Sequence, residues 1–137
     1  MLMKKREKSV FNLTLFIDTN VDATKIVVFA GNKILKAKEW RGGGDLSETL
    51  LSRINKLLGD LKLKLSNLNQ IAVFSGPGSY TGLRIGITVA NFLAWSLNIP
   101  IVAAETVNNE LFIIQDRTQA FILPKYLKSP HITKPKI

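Results

Sequence analysis

The sequence contains no cysteine and a single histidine, His131, among its 137 residues. Without thiols there is no disulfide framework and no thiolate metal site, and one histidine cannot supply the several imidazoles that zinc or iron centres recruit. No metal is therefore expected. Long apolar runs are missing too. The longest, Ile85 to Leu97, is interrupted by Thr88, Asn91 and Ser96 and falls short of the roughly 20 residues that cross a bilayer. Nor does the start read as a secretion signal. After Lys4, Lys5, Arg6 and Lys8 the apolar stretch is broken by Asn12, Thr14 and Asp18, with no small-residue cleavage site. A cytoplasmic protein with no membrane contact is expected.

Acidic residues are scarce: 10 Asp and Glu stand against 19 Lys and Arg, a formal charge of +9. Eight of the nineteen cations lie in the first eight positions or from Lys125 onward. An excess placed at the ends reads first as solvated extensions and second as a surface that attracts RNA. With 46% hydrophobic and 21% charged residues, the rest is one globular domain, long enough for one core and short for a two-lobed cleft.

What the sequence does have is regular punctuation. Phe11 to Asp18 alternates as a strand, Thr24 to Ala30 is a β-branched second strand, and Lys33 to Trp40 follows the Gly31-Asn32 turn. Three strands with tight connections predict an antiparallel meander. Asp45 and Glu48 have the spacing of a capping box, opening a helix whose stripe is Leu46, Leu50, Leu51, Ile54, Leu57, Leu58 and Leu61. Ile71 to Phe74 is a short buried strand, Thr81 to Leu97 a second helix stopped by Asn98 and Pro100, and Ile101 to Ala104 another buried strand. Leu111 to Ile114 and Ala120 to Leu123 are expected as edge strands, followed by an extended tail with Pro124, Pro130 and Pro135. The order β-β-β-α-β-α-β implies an α/β fold with a mixed sheet, similar to the ribonuclease-H-like half of the actin and hexokinase architecture.

Between the buried strand and the second helix runs Ser75-Gly76-Pro77-Gly78-Ser79-Tyr80-Thr81-Gly82-Leu83-Arg84. Gly76 and Gly78 permit positive φ and close approach, Pro77 stiffens the turn, and Ser79 or Thr81 can cap the helix. A helix start attracts anions, yet the spacing G-x-G-x-x-x-G fits neither the dinucleotide fingerprint nor a P-loop. A structural turn of Gly76, Pro77, Gly78, Thr81 and Gly82 is the expectation. Asp18, Gly76, Gly78 and Ser79 are the weak candidates for meeting a nucleotide, and no cofactor is expected. Ser79 has no base or orienting acid beside it, so no catalytic residue is assigned.

The second helix is apolar around most of its circumference. Leu83, Ile87, Ala90, Ala94 and Leu97 make one face and Ile85, Val89 and Phe92 another, with Arg84, Thr88 and Asn91 as a thin polar stripe. One face covers the sheet. If both helices lie side by side, their outer faces form an apolar patch for another protein, unless the C-terminal strands or tail cover it. The residues assigned to that interface are Leu50, Ile54, Leu57, Leu58, Ile85, Val89, Phe92 and Trp95.

The run from Ile71 through Gly86 closely resembles the signature of the TsaB (YeaZ) family. The likeness extends to Phe16-Ile17-Asp18-Thr19, to Ser47-Glu48-Thr49-Leu50-Leu51, to Leu97-Asn98-Ile99-Pro100-Ile101-Val102, and to Pro124-Lys125-Tyr126-Leu127 near the end. Leu46 stands where the family often places a histidine. The charge placement makes residues 1–10 a basic extension, and the resemblance implies an actin-like (ASKHA) N-terminal lobe over 11–106 and, over 107–137, the remnant of a deleted second lobe with a basic tail. It further implies a non-catalytic scaffold for the paralogous TsaD-like catalytic subunit, which modifies the adenosine beside the tRNA anticodon, alongside a TsaE-like ATPase. Asp18 would correspond to the acid that actin-like ATPases hold at the end of the first strand. The alternative is a basic module that binds tRNA through its charged ends. Homodimer against heterodimer is left open.

Overall fold

The computed structural model describes residues 12–20, 23–78, 80–114 and 122–123. Expectations for residues 1–10, Ser79, His131 and the tail from Pro124 lie outside them. Among the described residues six strands form one sheet: β1 Leu13–Asn20, β2 Ala23–Ala30, β3 Lys33–Trp40, β4 Gln70–Val73, β5 Ile101–Val107 and β6 Glu110–Ile113, in the order β3-β2-β1-β4-β5-β6. The first three pair antiparallel, as their short turns require, and β4 runs parallel to both β1 and β5. Parallel neighbours need crossovers, and two helices provide them: α1 Leu46–Asp60 and α2 Tyr80–Leu97.

β5 runs three residues beyond the expected Ala104. It then turns through Asn108 and Asn109, both at positive φ (54 and 66), into β6. Asparagine tolerates the left-handed region, and two such residues in succession suit a hairpin turn. Of the expected strand Ala120 to Leu123, the described residues 122–123 are not strand.

Both helices lie on one face. Leu15, Ile17, Ile26, Val28, Ile71 and Val73 from the sheet meet Leu50, Ile54 and Leu58 of α1 and Leu83, Ile87 and Ala90 of α2 in a single buried cluster. This corrects part of the expected interface. Leu50 and Ile54 are fully buried and Leu57 and Leu58 nearly so, because the leucine stripe of α1 is the stripe that covers the sheet. They are core, not outer face. The capping box fails as well. Asp45 sits at φ −100, ψ 15, outside the extended region from which a cap side chain reaches back, and its backbone carbonyl instead accepts from Glu48 N and Thr49 N.

Both helices end on a left-handed residue, Lys62 (φ 60) after α1 and Asn98 (φ 58) after α2. The amide that follows each left-handed residue then returns to the helix: Leu63 N to Leu58 O at 2.8 Å, and Ile99 N to Ala94 O at 3.0 Å. On the opposite face of the sheet Phe16, Val27, Phe29, Ala72, Val102 and Ala104 form a second buried cluster. Burial on both sides is why the central strands read as unbroken apolar runs.

Candidate partner-binding face

The glycine turn launches α2 from the upper end of β4. Gly76 adopts φ 114, a conformation only glycine takes without strain, and the Gly76–Pro77 peptide is cis. Gly78 is used differently: a β-carbon there would lie 3.3 Å from Leu83 Cγ, so its smallness lets the turn close over the buried Leu83 side chain. The helix start is then tied to β1, with Thr19 Oγ1 donating to Gly82 O at 2.5 Å. A β-carbon on Gly86, one turn later, would come within 2.8 Å of Thr19 Cγ2. Small residues at two successive turns thus bring α2 close against the sheet.

With that side seated, the rest of α2 is held outward. Ile85 and Val89 are half-buried, Phe92 is 55% exposed and Trp95 79% exposed. Ser47 of α1 and Thr81, Arg84, Ile85, Thr88 and Val89 of α2 line a groove of about 440 Å³ between the helices. Leu51, also exposed, carries the surface on α1. Sequence reasoning assigned the middle of the α1 stripe to the interface and missed Leu51, which stands at its edge.

Asn91 was expected as part of a polar stripe and proves to be a clamp. Its Nδ2 donates to Ile122 O at 2.8 Å, and Ile122 N donates to its Oδ1 at 2.9 Å, the two-bond pattern a neighbouring strand would make. Ile122 is thereby buried in the helix-side core, while Leu123 stays exposed. Ile122 thus covers part of α2, while Phe92 and Trp95 stay exposed.

Asp18 lies elsewhere. Along β1 it shares a side with Phe16, whose cluster is on the face away from the helices, whereas Thr19 points to α2. Its Oδ1 accepts from Asn20 N at 3.1 Å. Burial pushes its carboxyl up from the ordinary value, against the Asn20 N–H and the Lys25 ammonium, which pull it down, with Glu39 adding to the rise. On that face Lys25, Val27, Phe29, Ile34 and Glu39, with Thr106, line a cavity of about 250 Å³, where Lys25 Nζ donates to Thr106 Oγ1 at 2.8 Å. The structure therefore sets Asp18 on the opposite side of the sheet from α2, while Gly78 packs against Leu83. Among the described residues no group of three or more His, Cys, Asp or Glu is placed to hold a metal, and no helix is long and apolar enough to cross a membrane.

The sequence model of the family described as "TsaD: tRNA N6-adenosine threonylcarbamoyltransferase" matches residues 44–120. The chain is 51% identical over 53 residues to the tRNA threonylcarbamoyladenosine biosynthesis protein TsaB of Bacillus subtilis, covering 39% of this chain and 23% of that one. It is 33% identical over 97 residues to the protein of the same name from Buchnera aphidicola of Schizaphis graminum, covering 71% and 46%. The chain thus spans less than half the length of these relatives. Among solved structures, YeaZ from Pseudomonas aeruginosa superposes with a TM-score of 0.62 at 20% identity, over 89% of this chain and 72% of that one. That likeness gives the fold, an actin-like α/β lobe. Together with the GPGSYTGLR turn and the sheet built around it, the matches show that the chain belongs to the family of that model and, within it, to the TsaB (YeaZ) group.

Proposed function

We propose that the chain is a non-catalytic, activating partner of a TsaD-type threonylcarbamoyltransferase in forming threonylcarbamoyladenosine next to the anticodon of tRNA. The observation that carries this reading is the outward side of α2. Phe92 and Trp95 stand in water beside the groove of Ile85 and Val89. Fully burying an aliphatic or aromatic side chain is worth about 1.5–3 kcal/mol, so an apolar ridge beside an apolar groove is a surface that gains by association. Asp18 supports the non-catalytic side of the reading. Its burial favours the neutral acid, and its contact with the Asn20 N–H suits a structural acceptor better than a carboxylate holding a cation. A TsaE-like ATPase would join the assembly elsewhere.

The test is co-purification with a TsaD-type subunit and a tRNA modification assay with and without this chain. Phe92→Glu and Val89→Glu each place a charge in the apolar contact and are expected to weaken the complex at least about tenfold, or about 1.4 kcal/mol. Stimulation of modification should fall in parallel, and because Phe92 is exposed while Val89 packs partly against the core, the thermal melt of the isolated chain should be unchanged in Phe92→Glu. Wild-type capture by both variants would overturn the helical interface.

A further inference from the structure

The charges of the described residues are sorted along the strand axis. At the upper end, where β1, β4 and β5 finish and α2 begins, stand Asp18, Glu39, Asp45, Glu48, Glu105 and Glu110, six of the seven described acids. Five cations share that half: Lys25, Lys38, Arg41, Arg53 and Arg84. At the lower end, where β1, β3 and β4 begin and both helices finish, Lys33, Lys36, Lys56, Lys62 and Lys64 face one acid, Asp60.

Asp60 is already occupied. Lys36 Nζ lies 3.2 Å and Lys56 Nζ 3.7 Å from its oxygens, and the hydrogen bond from Lys36 holds its carboxyl below the ordinary value. Among the described residues no carboxylate lies within ion-pair distance of Lys33, Lys62 or Lys64.

The segment that carries Lys62 and Lys64 is also fixed. Leu61, Leu63 and Leu65 are half-buried against the core, so the lysines between them project into solvent. The backbone is pinned by Leu63 N to Leu58 O at 2.8 Å and by Lys64 N to Asn67 Oδ1 at 2.8 Å. Exposed cations on a pinned backbone, with no described carboxylate to neutralise them, are placed to meet regularly spaced phosphates. A membrane surface would be met by apolar side chains projecting among the lysines, and here the leucines turn inward.

We propose that this lower end, Lys33 with Lys62 and Lys64 on the segment after α1, is a contact surface for the phosphate backbone of RNA. The choice of RNA over other polyanions rests on the reading of the chain as part of a tRNA-modifying assembly. Lys33 lies on β3 and Lys62 and Lys64 follow α1, whereas Phe92 and Trp95 belong to α2, so the RNA and the partner would be held by different elements.

The experiment measures binding of a labelled, unmodified tRNA transcript to the full isolated chain by fluorescence anisotropy between 50 and 200 mM salt, in roughly the range where phosphate contacts dominate. Lys62→Gln/Lys64→Gln removes two charges at the lower end, and Arg41→Glu changes the charge by the same two units at the upper end. The double variant is expected to weaken binding about tenfold and flatten the salt slope by about two. Arg41→Glu is expected to change affinity less than twofold, and Lys62→Arg/Lys64→Arg to bind like the wild type. Equal losses in Arg41→Glu and the double variant overturn the proposal, because binding would then follow net charge alone. Absence of tRNA binding by the wild type overturns it too, as does tighter capture by vesicles with phosphatidylserine than by tRNA. Phe92→Glu, which tests the partner reading, is expected to leave tRNA binding unchanged, so either reading can fail without the other.

Discussion

Thr19 and Gly86 meet where α2 crosses β1, and the contact leaves no space for another atom. A β-carbon on Gly86 would stand 2.8 Å from Thr19 Cγ2 and 3.1 Å from its Cβ, which the backbone of a central strand holds in place. Gly59, near the end of α1, has nothing within 4 Å of the same added atom. The same substitution should therefore have opposite signs at the two sites. Alanine in a helix is favoured over glycine by up to about 1 kcal/mol, which Gly59→Ala is expected to gain in part. At Gly86 that gain is set against overpacking of about 1–3 kcal/mol, and the neighbour cannot retreat. Urea unfolding should show Gly86→Ala destabilised by about 1–2 kcal/mol and Gly59→Ala neutral to slightly stabilised, each with an unchanged m-value. Equal behaviour of the two variants would mean that α2 can shift away from β1, and the close docking inferred from Thr19 and Gly82 would not hold.

At the scale of elements, α2 carries features that local patterning reveals and one that it does not. Its length, its stop at Asn98 and its nearly all-round apolar character are present in the spacing of Leu83, Ile87, Ala90 and Ala94 and in Pro100 beyond the end. The strands are equally legible, since β-branched runs separated by Gly31-Asn32 leave little choice of register. The α1 face was misread because a leucine stripe shows that one side is buried and cannot show against what. The cap at Asp45 failed because Asp and Glu at the right spacing do not fix the backbone angles that the cap needs. The Asn91 clamp was not legible at all, since its partner, Ile122, is 31 residues away. Its contribution is testable: Asn91→Ala leaves both the N–H and the C=O of Ile122 without those bonds, at a cost of about 1–3 kcal/mol for buried polar groups. Amide exchange at Ile122 is expected to accelerate strongly in the variant, while amides of β1 and β4 keep their ranking. If Ile122 exchanges at the wild-type rate, the late segment is held by its side-chain packing and not by Asn91.

For the whole molecule, the sheet divides two kinds of surface. Its β3 edge carries Lys33, Lys36 and Lys38, charges that discourage another strand from pairing there. The outward side of α2 has no such protection: eighteen residues include one formal charge, Arg84, and Phe92 and Trp95 remain in water. Trp95 therefore reports on any association that uses this face. The only other tryptophan, Trp40, is half-buried, with the Arg53 guanidinium 4.4 Å from its ring centroid, so its surroundings are already set by the fold. Titration with a TsaD-type subunit is expected to shift the emission of Trp95 to the blue as its ring leaves water, with saturation at one partner per chain. The shift should disappear in Trp95→Phe, which keeps the aromatic surface and so keeps most of the affinity. Concentrating the chain alone tests self-association through the same face. A blue shift that grows with concentration and is lost in Phe92→Glu marks a homodimer that a partner must displace, and the partner titration then shows a smaller change in emission than it does for a monomer. Complex formation with no change in Trp95 emission would place the partner on another surface, most directly the α1 side around Leu51 or the exposed edge at β6.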